Sequence, residues 1–346
     1  MVKEFKIVLN SPAQGVFFPG SEVSGILVVK VDEPKSYENI QVTLVGQADD
    51  DDSWSESSGS VKFRSTYTYA DETYVNLRAI VWTKEQVPTQ ELHAGIHNFP
   101  FRFQLPARLP PSFQGPIGWI RYYVEGTIGT GTLKLDHTVK APITVVEIVD
   151  INVSHLQTPL HAEKQKTLAL CCFLCTSAPI TLNVELCRHG FCYGDIIPLK
   201  TTLENGSSRR LRLRAQLLQV IVYKRHNGYY NRLQKVVACI ASRQLEPRTT
   251  TTWNPEELVV PGHIEPTLKS SWIISVEYFL RVSAIVPWGL NLTVDMAVTI
   301  GNVPLHSTTS AIHPVPMMLQ SQSVSSLYPT QGVIPPSHQP PQFGLP

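Results

Sequence analysis

Phe17-Phe18-Pro19-Gly20-Ser21-Glu22-Val23 decides the fold, because a similar stretch returns later as Phe191-Cys192-Tyr193-Gly194-Asp195-Ile196-Ile197. A second pair of similar stretches follows in the same order: Ile120-Arg121-Tyr122-Tyr123-Val124-Glu125 in the first half and Val276-Glu277-Tyr278-Phe279-Leu280-Arg281 in the second. The interval between the two landmarks is far longer than the ~20–50 residues of a solenoid repeat. The sequence therefore predicts two related domains.

Alternating apolar and polar residues fill both halves of the chain. Phe5, Ile7 and Leu9 alternate with polar or smaller neighbours, and the stretch Phe99 to Leu105 does the same. This two-residue period, bounded by Gly and Pro, predicts β-strands. A turn or short helix is expected only near 71–77. Many short strands in units of ~150 residues predict an all-β chain made of two tandem β-sandwiches.

The domain limits follow from changes in composition. We predict a first sandwich over residues 1–150, a linker over 151–164 and a second sandwich over 165–306. Residues 307–346 are dominated by Ser, Pro, Gln and Thr, which cannot build a core, so this tail is predicted to be disordered.

Composition excludes several classes of protein. The chain has 29 basic and 28 acidic residues, and this balance argues against a nucleic-acid binder. The longest apolar run, Thr167 to Cys175, is far shorter than the ~20 residues of a membrane-spanning helix, so a transmembrane protein is not expected. The amino terminus lacks a signal-peptide pattern. We therefore expect a cytoplasmic protein whose six cysteines are free thiols.

The cluster Arg209-Arg210-Leu211-Arg212-Leu213-Arg214 is the strongest candidate binding site. In a strand, Arg210, Arg212 and Arg214 line one face while the two leucines line the other. Guanidinium groups in a row suit phosphate, because each can form two parallel hydrogen bonds to it. The cluster, including Arg209, is thus a candidate phosphate or membrane contact. The alternative is a solvated sheet face that discourages edge pairing.

Three other clusters have both a functional and a structural interpretation. Four cysteines have zinc-like spacing, but packed thiols are the favoured interpretation, because Cys172 and Cys175 would point to opposite faces of a strand. The four are Cys172, Cys175, Cys187 and Cys192. His93 and His97 have the spacing of helical metal ligands but precede a predicted strand. The acidic run 49–52 lacks calcium-loop spacing and suits a solvated loop. No catalytic motif is present, so we predict neither an enzyme nor a cofactor.

Several motifs, in order, resemble the alpha-arrestin (arrestin domain-containing) branch of the arrestin superfamily. They are Leu109-Pro110-Pro111-Ser112-Phe113-Gln114-Gly115, the run from Lys166 to Ile180, Glu204-Asn205-Gly206-Ser207-Ser208-Arg209, Ile273-Ile274-Ser275-Val276-Glu277-Tyr278 and Ile300-Gly301-Asn302-Val303-Pro304-Leu305. The resemblance covers about residues 5 to 306. It implies two arrestin-type, immunoglobulin-like sandwiches and an adaptor that links membrane-protein cargo or receptor tails to ubiquitination and endocytic sorting. It also implies peripheral association with the plasma membrane or endosomes.

The tail departs from the pattern of that family. Alpha-arrestins usually carry Pro-Pro-x-Tyr motifs that bind WW domains of HECT-type ubiquitin ligases. Here the corresponding segments are Pro335-Pro336-Ser337-His338 and Pro340-Pro341-Gln342-Phe343, and both lack the tyrosine. The resemblance thus implies a weak WW ligand at Pro335, Pro336, Pro340, Pro341 and Phe343. The alternative is a trafficking or signalling scaffold that works without a ligase.

The resemblance also bears on the arginine cluster. The beta-arrestin branch uses basic residues on a similar strand for inositol phosphates, so a phosphoinositide contact is implied for Arg209 to Arg214. A secreted adhesion-type sandwich, the third class weighed, does not fit the amino terminus or the absence of cysteines from the first half.

Overall fold

A computed structural model describes residues 2–10, 15–49, 71–87, 91–131, 135–168, 178–225 and 228–305. In these ranges the regular structure is almost entirely β-strand, and short 3-10 turns include Lys84–Gln86 and Ser154–Gln157. None of the described residues form a helix long and apolar enough to cross a membrane. The strands are β1 (Val2–Leu9), β2 (Val16–Phe17), β3 (Glu22–Val31), β4 (Asn39–Asp49), β5 (Asp71–Thr83), β6 (Gly95–Gln104), β7 (Phe113–Gln114), β8 (Trp119–Gly129), β9 (His137–Val145), β10 (Leu160–Lys166), β11 (Ile180–Leu186), β12 (Gly190–Cys192), β13 (Leu199–Asn205), β14 (Leu211–Lys224), β15 (Tyr230–Leu245), β16 (Thr249–Trp253), β17 (Ile274–Ile285) and β18 (Leu292–Gly301).

The first sandwich packs two sheets around one core. Strands β1-β3-β6 form the smaller sheet, and β2-β9-β8-β4-β5 form the larger one, with β7 also paired to β8. Along β4 every second residue is buried, as the sequence alternation predicts. Leu27 of β3 lies directly against Gly126 of β8, so the two sheets are in contact through their apolar faces.

The second sandwich repeats this plan. Strands β10-β11-β13-β16 form its smaller sheet and β12-β18-β17-β14-β15 its larger one. Strand β17 is buried along most of its length, and β14 buries its apolar side chains in the same core. The chain is therefore a nearly all-β protein of two sandwiches, as predicted.

The sequence landmarks occupy equivalent places in the two sandwiches. In each larger sheet a short strand pairs in parallel with the last strand, and the following glycine has positive φ, +79° at Gly20 and +80° at Gly194. Tyr122 and Tyr278 lie on the equivalent strands β8 and β17. The Tyr122 hydroxyl donates to Pro110 O and the Tyr278 hydroxyl to Glu265 O, 12 and 13 positions upstream. The repeat that predicted two related domains is thus present in space.

One local prediction is wrong. Residues 71–77 were expected to form a turn or short helix, but they begin strand β5, which pairs antiparallel with β4. The pairing places Val75 opposite Gly46 and buries it, and this tertiary contact outweighs a weak local pattern. Strand β10 begins at Leu160, inside the segment predicted as a linker. The domain limits stay a prediction, as does disorder of 307–346, which lies outside the described residues.

Polar contacts join the two sandwiches through the loop that precedes β17. The Tyr74 hydroxyl lies 2.7 Å from Ser271 Oγ, and the Glu72 carboxylate accepts a hydrogen bond from the Trp272 amide at 3.1 Å. Ser270 donates its hydroxyl to the Glu147 carboxylate at 2.7 Å. Because two acidic residues of the first sandwich hold three consecutive residues of the second, this loop links the two.

Candidate interaction surface

The arginine cluster has the alternation that the sequence predicts. Leu211 and Leu213 are buried in the core, while Arg212 is exposed and Arg214 is half-buried on the opposite face of β14. Arg209 and Arg210 precede the strand. The structure thus brings the four arginines to one end of β14, beside its neighbours β15 and β17.

Three of the four guanidinium groups already have a protein partner. Arg209 donates to Pro287 O at 2.7 Å, and Arg212 donates to Ser242 O at 2.8 Å. Arg210 forms an ion pair of 3.1 Å with Glu246, which is largely exposed and therefore weak. Each of these contacts is made by one nitrogen of a group with five N–H donors, so the arginines keep donors for an outside anion.

Arg214 differs from the other three. Its Nε is buried and has no hydrogen-bond partner among the described residues. A buried donor without an acceptor is uncommon and costs stability. Among the described residues, one donor of the cluster, Arg214 Nε, is therefore not used by the fold.

The basic character extends over the whole β14–β15 hairpin. Residues 206–245 contain nine Lys or Arg and no Asp or Glu, although the full chain is almost balanced. Such a segment repels cations and attracts anionic partners at a distance. The nine are Arg209, Arg210, Arg212, Arg214, Lys224, Arg225, Arg232, Lys235 and Arg243.

Strand β15 forms a long free edge of the larger sheet. It runs from Tyr230 to Leu245, and among the described residues it is hydrogen-bonded to β14 alone. Most of its side chains are exposed, including Leu233 and Val236. An edge strand presents unpaired backbone donors and acceptors to an incoming strand. The edge is thus a place where an extended peptide can add to the sheet.

The turn of the same hairpin borders an aromatic groove of about 310 Å³. Tyr229, Tyr230 and Trp272 line it with exposed rings, and Lys224 and Arg225 lie beside them. Arg225 N donates to Tyr229 O at 2.8 Å, which closes the end of the hairpin. These aromatic and basic side chains lie at the start of β15 and extend the surface that a bound peptide could contact.

A tyrosine from β14 fixes the junction next to this groove. The Tyr223 ring is fully buried and lies against Gly115 and Gly118 of the first sandwich. A methyl group at Gly118 would come within 2.9 Å of the ring, closer than real contacts allow. Burial raises the pKa of Tyr223 to about 12, so the hydroxyl stays protonated at neutral pH. Close packing of Tyr223 against these two glycines therefore fixes the position of β14 relative to the first sandwich.

The cysteine cluster is only partly covered by the described residues. Cys192 is buried and donates its thiol to Val303 O at 3.1 Å, whereas Cys187 is exposed. Burial raises the pKa of the Cys192 thiol to about 11. Over the ranges that the structure covers, no group of His, Cys, Asp and Glu could hold a metal ion. Cys172 and Cys175 lie outside those ranges, so their zinc pattern is untested.

The structure covers the histidine pair, only one residue of the acidic run, and none of the tail prolines. His97 lies in β6 with its Nε2 2.8 Å from the carbonyl oxygen of His93, a structural contact. Asp49 is the last residue of β4, and residues 50–52 lie outside the described ranges. The tail residues Pro335, Pro336, Pro340, Pro341 and Phe343 also lie outside them, so the weak WW ligand stays a prediction.

Sequence reasoning missed most of this surface because it considered only residues 209–214. The absence of acidic residues across 206–245 was readable from the sequence and marks the whole hairpin. The free edge of β15 and the grouping of Trp272 with Tyr229 depend on sheet order and on the fold, which local patterns do not reveal.

Comparison with known families accounts for both sandwiches. Residues 5–152 match the family model "Arrestin (or S-antigen), N-terminal domain". Residues 176–305 match "Arrestin (or S-antigen), C-terminal domain". The two matches follow one another in the order of the two sandwiches.

Curated proteins with similar sequences extend over most of the chain. Arrestin domain-containing protein 4 of Mus musculus is 30% identical over 311 residues, 88% of this chain and 72% of that protein. Arrestin domain-containing protein 1 of Mus musculus is 26% identical over 309 residues, 89% and 66% of the two chains. Thioredoxin-interacting protein of Homo sapiens is 27% identical over 319 residues, 90% and 78%.

Proposed function

The chain belongs to the arrestin domain-containing, or alpha-arrestin, family, and from this we propose that it is a non-enzymatic, cytoplasmic adaptor. It binds the tails of membrane-protein cargo or receptors and directs their endocytic sorting at the plasma membrane or endosomes. The observation that supports this best is the free edge of β15 in a segment, residues 206–245, that has nine basic and no acidic residues.

Strand addition is the binding mode that this edge favours. An extended tail would pair its backbone with β15, and its side chains would contact Leu233 on one face of the sheet, Val236 on the other, and the aromatic groove at the end of the strand. Basic residues along the edge, such as Arg232, Lys235 and Arg243, favour acidic or phosphorylated tails. Main-chain pairing provides affinity that does not depend on the sequence of the peptide. The basic side chains would provide specificity for acidic tails.

The arginine cluster contributes a second contact. Arg209, Arg210, Arg212 and Arg214 lie on the hairpin that carries the free edge, and Arg214 has an unpartnered buried donor. We assign them to anionic phosphoinositide headgroups of the membrane in which the cargo resides. Contact with the membrane would keep the adaptor near its cargo and raise the effective concentration of the tail.

Recruitment of a HECT-type ubiquitin ligase is the finer part of the proposal. It would require the proline pairs 335–336 and 340–341 to bind WW domains without a tyrosine, which removes a main anchor. The absence of the tyrosine supports the second candidate function, a trafficking or signalling scaffold that holds cargo without ubiquitination.

A pair of proline variants tests strand addition. Consecutive strand residues point their amides alternately toward β14 and toward the free edge, so Leu233→Pro and Gln234→Pro remove different donors. One variant should lose stability, because it breaks a ladder bond. The other should keep the melting temperature and lose binding to an array of extended cytoplasmic-tail peptides. Full binding by the stable variant would contradict strand addition at β15.

A further inference from the structure

A cleft of about 280 Å³ lies between the two sandwiches, next to the β14–β15 hairpin. Residues 113–116 of the first sandwich form one wall, and the loop 263–265, which precedes β17, forms another. The hairpin contributes Gln219 and Ile221 of β14 and residues 233–235 of β15. Because residues 233–235 belong to the free edge, the cleft lies beside the strand to which we assign cargo binding.

The lining of this cleft combines apolar walls with one carboxylate. Phe113, Ile221 and Ile264 are among its apolar side chains, and glutamines supply neutral amides. Glu265 is the only acidic residue among the described residues that line it. A cleft of this size, with apolar walls and a few polar groups, suits a small molecule or one long side chain.

A chain of hydrogen bonds fixes the loop that carries this carboxylate. Gln219 Nε2 donates to the Tyr278 hydroxyl at 2.7 Å, and the Tyr278 hydroxyl donates to Glu265 O. Gln219 and Tyr278 are both buried, so the backbone at Glu265 is held by two side chains of the sheet. The contact uses the carbonyl oxygen of Glu265 and leaves its side chain unused.

The Glu265 carboxylate has no partner in the part of the chain that the structure describes. Lys235 and His263 line the same cleft, but neither forms an ion pair with it. The side chain is open to the cleft and is crowded by its walls, and this burial raises the pKa of Glu265 above its ordinary value of 4.5. Loss of water without a counter-charge is unfavourable for a carboxylate. A cation from outside would therefore gain a charge-assisted contact here.

The first sandwich indicates that the fold does not require this charge. Its equivalent tyrosine, Tyr122, donates to Pro110 O, and Pro110 carries no polar side chain. Both acceptors are followed by a proline, Pro111 in the first sandwich and Pro266 in the second. The tyrosine contact needs only a backbone carbonyl, so the carboxylate of Glu265 is free to serve a ligand.

We propose that this cleft is a specificity pocket that takes one basic side chain, Lys or Arg, of a tail bound along β15. The inference rests on the proposed function and names what its site selects. Leu233 and Lys235 lie on the cleft face of β15, so side chains of an added strand that point the same way face the cleft. The aliphatic stem of Lys or Arg would pack on the apolar walls while its charged head reaches Glu265.

The hairpin and the cleft then select different residues of the same tail. The basic residues of the hairpin favour acidic or phosphorylated residues, whereas Glu265 favours a cation at one position. Side chains of an added strand face the cleft only at every second residue, so the pocket also defines the register of the bound tail. A tail with one basic residue at a fixed place among acidic ones is therefore the preferred cargo.

A positional scan of the tail peptide that binds most tightly tests the pocket. Each position in turn carries lysine or norleucine, which has a similar aliphatic stem without the charge, and binding to the full chain is titrated. At one position lysine should bind roughly tenfold more tightly than norleucine, in line with one charge-assisted hydrogen bond. An equal gain at every position, or a gain at none, would overturn the proposal.

Glu265→Gln should abolish the preference for lysine, because the amide is neutral. Its melting temperature should not fall, since the backbone carbonyl still accepts from Tyr278. Glu257→Gln is the matched control: it removes the same charge from an exposed position between β16 and β17 and should keep the preference. Equal losses in the two variants would reduce the effect to general electrostatics and contradict the pocket.

A small probe tests the cleft without strand addition. Methyl signals of Ile221, Leu233 and Ile264 are followed by NMR while N-acetyl-lysine methylamide, or its norleucine counterpart, is added to the full chain at millimolar concentration. The lysine probe alone should shift these signals, and Glu265→Gln should lose the shift. If the shifts are seen but no tail peptide binds, strand addition at β15 fails and the pocket stands. Without the shifts the pocket is wrong, whether or not tail peptides bind.

Discussion

At the scale of single residues, two kinds of position carry the account: a crowded contact at the junction and a row of arginines on β14. Tyr223 lies against two glycines of the first sandwich, so the spacing between the sandwiches depends on the absence of a side chain there. The arginines combine internal hydrogen bonds with spare donors. Both features can be altered by one or a few substitutions.

Gly118→Ala should destabilise the protein by about 1–3 kcal/mol, because the added methyl group would overlap the Tyr223 ring. Urea unfolding measures the loss of free energy. Gly262→Ala is the matched control, since a Cβ at that position meets nothing within 4 Å. Equal stability of the two variants would mean that the Tyr223 contact does not limit the junction.

The triple variant Arg210→Gln, Arg212→Gln and Arg214→Gln should bind anionic vesicles about a hundredfold more weakly, because each cation near such a surface contributes ~1 kcal/mol. The fold should survive, since Leu211 and Leu213 carry the buried face. Co-sedimentation at two salt concentrations, with a thermal melt, measures both effects.

A control variant removes the same charge from the other strand of the hairpin. Arg232→Gln, Lys235→Gln and Arg243→Gln should affect vesicle binding less than the triple variant on β14. Equal losses would mean that net charge alone determines vesicle binding, and that the arginine cluster is an ordinary solvated face.

At the scale of elements, the loop before β17 links the sandwiches through carboxylates. Glu147 accepts from Ser270, and Glu72 accepts from the Trp272 amide and from the Tyr74 hydroxyl, at 2.7 Å in the last case. Burial raises the pKa of Glu147 above its ordinary value of 4.5. The folded state therefore favours the protonated carboxyl relative to the unfolded chain, while the hydrogen bond from Ser270 opposes this shift.

Glu147→Gln should remove a pH-dependent part of the stability. Because the folded state raises this pKa, the stabilising contribution is complete below about pH 4.5 and is lost as pH rises through the folded value. The variant keeps an acceptor oxygen for Ser270 and does not ionise. Its unfolding free energy relative to the wild type should increase from pH 4.5 to pH 7. A difference that is flat with pH would contradict this.

Some of the strands and turns could be predicted from the sequence, and others could not. Repeated landmarks such as Gly20 and Gly194 predicted two related sandwiches, because turns and buried tyrosines are encoded by short local patterns. Strand β5 was not predicted, because its pairing with β4 is a long-range contact. Glu265 was not recognised either, because only the fold brings its carboxylate into a cleft between the sandwiches.

At the scale of the whole molecule, the chain consists of two arrestin-type sandwiches, and we have proposed an adaptor role whose partners contact surfaces of the second sandwich. The β15 edge and the arginine cluster both belong to the second sandwich. The proline pairs at 335–343 form a separate element of the proposal. Cargo, membrane and ligase contacts can therefore be tested one at a time.

The ligase contact is tested with a tail peptide that contains both proline pairs. The natural peptide should bind WW domains weakly, because the pocket for tyrosine stays unfilled. The change Phe343→Tyr restores a Pro-Pro-x-Tyr sequence and should strengthen binding at least tenfold, in line with one anchoring side chain. Titration of both peptides measures this. Tight binding by the natural peptide, unaltered by the change, would contradict the prediction.

Strand addition at β15 is tested by hydrogen exchange of the full chain with and without the tail peptide that binds most tightly. We expect slower exchange along β15, Tyr230 to Leu245, because its edge amides would pair with the peptide. Strand β5, the equivalent edge of the first sandwich, should be unchanged. Protection at β5 or elsewhere, with β15 unaffected, would contradict cargo binding by strand addition at this edge.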